Sequence, residues 1–162
     1  MKKVFDYFRE YYESLFPDGT TNDEVLDGIR FFLDNAGINP DEENNAEKTA
    51  MREMGRFKLM PRESFEIFFR SYPARIKVEE LRNRCETCAM DRAWNGNLLE
   101  VSQYDKMIQE FFDLTMPLLK EQELKSWIMQ CEEEISGCLS YAAGKTEQMP
   151  ESIEERLIFF DK

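Results

Sequence analysis

The chain has 162 residues, with 33 acidic side chains against 21 basic ones, no histidine and a net charge of -12. That balance repels nucleic acid and anionic membranes and favours cationic partners. The missing imidazole removes the commonest general base and the commonest metal ligand.

Hydrophobic spacing at helical period divides the chain into seven or eight helices, with no convincing strand. The first is expected over residues 2–16, with Val4, Phe8, Tyr11, Tyr12 and Leu15 on one face and a Pro17-Asp18-Gly19 turn after it. Thr21 and Glu24 are spaced as a capping box for the second, whose inward stripe is Val25, Ile29, Phe32 and Ala36. Gly37 suits its left-handed C-cap. Asn39-Pro40 is expected to open a third helix that Gly55 closes, because proline at the first position loses no bond. Pro61 opens a fourth, with Phe65, Phe68, Phe69 and Tyr72 facing inward, and Pro73 stops it. A fifth covers residues 77–93 and ends at Asn95-Gly96. Ser102 caps a sixth that points Met107, Ile108, Phe111 and Phe112 inward, until Pro117 breaks it. The seventh covers residues 118–142, and Pro150 starts a short terminal helix with Ile153, Leu157 and Phe160 as its stripe.

Connections are short, and no linker or repeat separates domains. The expectation is a single all-α domain over residues 1–162, a compact bundle large enough to bury a core built from its 13 phenylalanines. No apolar run approaches membrane-spanning length, and the N-terminus carries charge where a signal peptide would be apolar. With four cysteines read as reduced thiols, the expected compartment is the cytoplasm.

The four cysteines admit two readings. Cys85 and Cys88 form a C-x-x-C, and with Cys131 and Cys138 they could make a four-thiolate zinc site. Yet Val78, Leu81, Cys85 and Cys88 read as one apolar stripe, and Leu124, Trp127, Ile128, Cys131, Ile135 and Cys138 as another. Seven helical residues place Cys131 and Cys138 roughly 10 Å apart. Two sulfurs on one zinc can be no more than about 4.6 Å apart. The register therefore favours core thiols.

Without histidine, an enzyme here would use carboxylates and Mg²⁺ on a phosphorylated substrate. Glu10 and Glu13 share one face of the first helix, as Glu24 and Asp27 share one face of the second. This E-x-x-E then E-x-x-D order, with the stretch EVLDGIRFFLDNAGI over residues 24–38, resembles the all-α nucleoside triphosphate pyrophosphohydrolases of the MazG type. The resemblance implies Mg²⁺ held by Glu10, Glu13, Glu24 and Asp27. The bare helical faces account for the same residues as solvated carboxylates. Phosphate-binding loops, a nucleophile elbow and any histidine-dependent nucleophile are absent from the sequence.

Charge is unevenly distributed, with nets of -7 over residues 1–50, +3 over 51–92 and -8 over 93–162. The whole-chain field disfavours direct nucleic-acid binding by the basic middle. In the C-terminal third, Glu121, Glu123, Glu132, Glu133, Glu134, Glu151, Glu154 and Glu155 are the candidate partner-binding residues. Carboxylates fixed on rigid helices can imitate a row of phosphates and engage a basic protein surface. The favoured reading is a non-enzymatic acidic interaction protein without a cofactor. Its most specific form is an inhibitor that binds the basic groove of a nucleic-acid-processing protein, as phage and mobile-element antagonists of restriction or CRISPR effectors do. The Mg²⁺-dependent hydrolase is the alternative, and a second copy of the chain is a further conceivable partner.

Overall fold

The computed structural model describes residues 1–15 and 21–160, with side chains through Leu157. It is all-α, with seven α-helices, two 3-10 turns and no strand among the described residues. The helices are α1 (Val4–Ser14), α2 (Asp23–Asn35), α3 (Ala46–Met54), α4 (Arg62–Asn95), α5 (Val101–Thr115), α6 (Lys125–Ala142) and α7 (Glu151–Phe160). Two compact units result, Met1–Pro73 and Ala74–Lys162, and their boundary falls inside α4 at Pro73. No helix of the described residues is long and apolar enough to cross a membrane.

The first unit is organised by aromatic rings. Tyr12 stacks on Phe65 at 5.6 Å, while Phe65 and Phe57 lie 4.7 and 4.9 Å from Phe69. Phe32 meets Phe69 edge-on at 5.6 Å. Val4, Phe8, Val25, Ile29 and Leu33 complete the buried face of α1 and α2. Leu33 takes the place the sequence assigned to Ala36, which is exposed.

Local chemistry explains the element boundaries. Asn22, rather than Thr21, caps α2, its side chain accepting from the Glu24 N–H at 2.8 Å. Gly37, at φ 77, lets the Ile38 N–H donate back to the Leu33 carbonyl at 2.9 Å and ends that helix as expected. Residues 39–45 do not open α3. The Val4 and Phe5 N–H groups donate to the Glu42 and Pro40 carbonyls at 3.1 and 2.9 Å. This segment thus satisfies the orphan donors of α1, and α3 starts only at Ala46. The Pro17-Asp18-Gly19 turn lies outside the described residues, as do the side chains of Ile158, Phe159 and Phe160.

Pro73 does not stop the fourth helix: the two helices expected around it are one, α4. A proline inside a helix costs roughly 3 kcal/mol, through one missing N–H and a ring clash. Val78 and Leu81 beyond it are fully buried, and each such side chain contributes about 1.5–3 kcal/mol. Burial on the far side outweighs the break.

The second unit packs the distal half of α4, through Val78, Leu81, Cys85 and Ala89, with Met107 and Phe111 of α5 and the Ile128, Cys131, Ile135, Cys138 and Leu139 stripe of α6. Helix α5 begins at Val101 after Glu100, not after a Ser102 cap. Pro117 sits in a 3-10 turn (Met116–Leu118), and α6 starts at Lys125 rather than near Leu118. Phe112, expected inside, is 46% exposed.

Candidate functional site

The sequence-predicted carboxylates separate into two groups. Glu10 is bound to Lys2 at 2.7 Å and Glu13 faces Arg9 at 3.6 Å, while Glu24 and Asp27 stand exposed on α2. Among the described residues, no three Cys, Asp or Glu side chains are placed to hold a metal ion. Neither the Glu10, Glu13, Glu24 and Asp27 tetrad nor the Cys85, Cys88, Cys131 and Cys138 set is therefore assembled. Cys85, Cys131 and Cys138 are buried and Cys88 half-buried, all as free thiols. Burial pushes the Cys85 thiol up to about 12 and those of Cys131 and Cys138 up to about 11. Thiols so resistant to ionisation are poor nucleophiles and poor metal ligands.

Four of the eight candidate partner-binding glutamates do converge. Glu133 and Glu134 of α6 and Glu151 and Glu155 of α7 line one groove of about 720 Å³. Gly137 also lines the groove, and a Cβ built there would meet only the Pro150 ring carbon, at 4.0 Å. Glu134 is held by Arg82 at 2.9 Å. Glu133, Glu151 and Glu155 make no ion pair among the described residues. Met149 and Pro150 add an apolar wall. Of the other four, Glu123, Glu132 and Glu154 are exposed and Glu121 is half-buried.

Thr146 and Gln148 also line the groove, on a loop held by Arg92, a residue whose anchoring role sequence reasoning missed. Arg92, near the end of α4, is only 14% exposed in its side chain. Its guanidinium donates to the Tyr141 and Thr146 carbonyls at 2.7 Å each, and pairs with Glu147 at 2.7 Å. It also lies 4.3 Å from the centre of the Tyr141 ring. One side chain thus caps the end of α6 and holds the loop that carries Thr146 and Gln148. Helix α7 is held by Ile153, fully buried, and by Arg156 paired with Glu86 at 2.6 Å. Nothing in the spacing of the sequence marks Arg92, because its acceptors are two backbone carbonyls and a carboxylate about fifty residues away.

A lysine cannot reproduce that fork, since its single ammonium reaches fewer acceptors and lacks the planar face. Arg92→Lys is expected to cost about 1.5–3 kcal/mol, seen as a lower urea midpoint of the tryptophan fluorescence transition. An unchanged midpoint would show that the loop holds itself. Both tryptophans, Trp94 and Trp127, lie in this second unit and report on it.

No family model, no curated protein and no solved structure matches the chain.

Proposed function

We propose that this protein is a non-enzymatic acidic interaction protein that engages a cationic surface of a protein partner through the α6–α7 carboxylates. Its most specific form is an inhibitor that occupies the basic groove of a nucleic-acid-processing enzyme, in the manner of phage or mobile-element antagonists of restriction or CRISPR effectors. The reading rests on one observation: four glutamates from two helices share a groove, and among the described residues Glu134 alone of the four makes an ion pair. Carboxylates held on packed helices lose little freedom on meeting guanidinium or ammonium groups, and the whole-chain charge speeds the encounter.

A labelled arginine-rich peptide serves as the probe, read by fluorescence anisotropy. Affinity is expected to fall about tenfold or more between 50 and 200 mM salt, as for a contact made of several charges. Neutralising Glu133, Glu151 and Glu155 together to Gln should weaken capture by about tenfold or more. The equal charge removal Asp23→Asn, Glu24→Gln and Asp27→Asn on α2 should change it little. Equal losses from both triple variants would reduce the interaction to bulk charge and sink the groove. Cleavage assays with restriction and RNA-guided nucleases then test the specific form, inhibition being expected without turnover of any nucleotide.

A further inference from the structure

The turn between α3 and α4 is anchored on one side and bare on the other. Phe57, buried, sits among the rings of Phe65, Phe68 and Phe69, and the Tyr11 hydroxyl donates to the Lys58 carbonyl at 3.3 Å. Two positions after that anchor, Leu59 is 99% exposed, the highest value of any large apolar side chain among the described residues. A single exposed leucine is ordinary. This one stands on a turn fixed from beneath and is bracketed in sequence by cations.

Residues 51–62 carry four cations and one anion in a chain whose net charge is -12. The anion, Glu53, faces Arg52 at 3.4 Å, and Arg62 faces Glu66 at 3.3 Å. Arg56 and Lys58, on either side of Phe57, make no ion pair among the described residues. The Arg56 guanidinium lies 5.8 and 5.7 Å from the centres of the Phe32 and Phe57 rings, which hold it in place without cancelling its charge. Exposed Glu47 and Lys48 precede the segment and exposed Glu63 follows it, so a cationic surplus remains.

Charge complementarity and the bare leucine together define what this turn fits. Its cations require an anionic partner. A phosphate backbone offers no apolar group to a leucine held in solvent. Duplex DNA and an anionic bilayer are, in addition, extended polyanions that the field of the whole chain repels. A short peptide lies within the roughly 8 Å over which local charges act in about 0.15 M salt, and it can set an apolar side chain between carboxylates. We infer that the turn over residues 51–62 docks a short acidic segment of a partner protein, with Leu59 as the apolar anchor and Arg56 and Lys58 meeting its carboxylates. This contact is independent of the acidic groove, and neither surface needs the other.

A labelled glutamate-rich peptide with two central leucines is the probe, read by fluorescence anisotropy with the full chain in about 0.15 M salt. Binding is expected with a dissociation constant on the order of 10–100 µM. The same peptide with serine in place of both leucines should bind about tenfold more weakly. Lys58→Glu with Leu59→Ser should weaken capture by about tenfold or more, with an unchanged circular dichroism spectrum, because both positions are exposed. Leu119→Ser with Lys120→Glu makes the same changes at another exposed pair and should alter capture by less than about twofold. Absence of binding at about 500 µM protein overturns the inference. So do equal affinities for the two peptides, equal losses from the two double variants, or tighter binding of a duplex oligonucleotide or phosphatidylserine vesicles than of the leucine peptide.

Discussion

Gly28→Ala should unfold the first unit or leave it barely stable, although helix propensity alone predicts the opposite. Alanine in a helix interior is favoured over glycine by about 1 kcal/mol. At this position, however, a Cβ would lie 1.7 Å from the Phe69 carbonyl oxygen and 2.5 Å from its carbon. The obstacle is backbone, so no rotamer change relieves it. The origin of the contact is Pro73: it has no N–H to offer the Phe69 carbonyl four residues earlier, and that oxygen instead lies over Gly28 of α2. Admitting a methyl means separating α2 from α4, with Phe32 and Phe69 directly beside the contact. The expected loss is about 3 kcal/mol or more, at or beyond the upper end for overpacking, in a fold whose total is about 5–15 kcal/mol. Hydrogen exchange of α1 and α2 amides and thermal melting by circular dichroism check it, with a fall of about 10 °C or more expected. A variant as stable as the parent would show that α2 slides away freely, and the close packing would lose its meaning.

The same pair of residues shows what the sequence makes legible and what it hides. Periodicity alone places the α1, α2 and α7 helices, the C-terminal end of α6, the Gly37 cap and most of the buried stripes, because these depend on neighbours within a turn or two. Pro73 reads locally as a stop, and only the burial of Val78 and Leu81 beyond it overrides that reading. Pro40 reads locally as a helix start, yet its carbonyl and that of Glu42 are committed to the amides of Phe5 and Val4, some 35 to 38 residues earlier. Phe112 reads as core because Phe111 does, and one step of 100° separates a buried ring from an exposed one. At the groove, composition pointed to the C-terminal glutamates as a group. It could not select Glu133, Glu134, Glu151 and Glu155, whose convergence depends on a loop seated by Arg92. Distance along the chain, more than residue type, divides what was readable from what was not.

Alkaline pH should dissolve the second unit well before it damages ordinary side chains. Cys85 is fully buried, and Cys131 and Cys138 are 1% exposed. Burial is the largest cause that raises their pKa, from 9.0 to about 12 for Cys85 and about 11 for the other two. The unfolded chain ionises these thiols near 9, while the folded chain keeps their protons. The native state therefore binds more protons across that interval, and stability must fall as pH rises. The contribution is fully present below about pH 8, starts to fail near 9, and is lost progressively toward 11 to 12. Each thiol adds a slope of up to about 1.4 kcal/mol per pH unit, so three together approach the whole stability of a small domain within about two units. Urea unfolding followed by Trp94 and Trp127 fluorescence at a series of pH values measures that slope where the cysteines lie. Cys131→Ala and Cys138→Ala should each lower stability at pH 7, through the cavity left behind. Each should also flatten the alkaline slope by about one thiol's share. A thiol reagent at pH 8 should meanwhile modify half-buried Cys88 far faster than the other three. An alkaline slope that is the same with and without Cys131 and Cys138 would mean that these sulfurs reach water, and that the packing of α6 against α4 is looser than its burial implies.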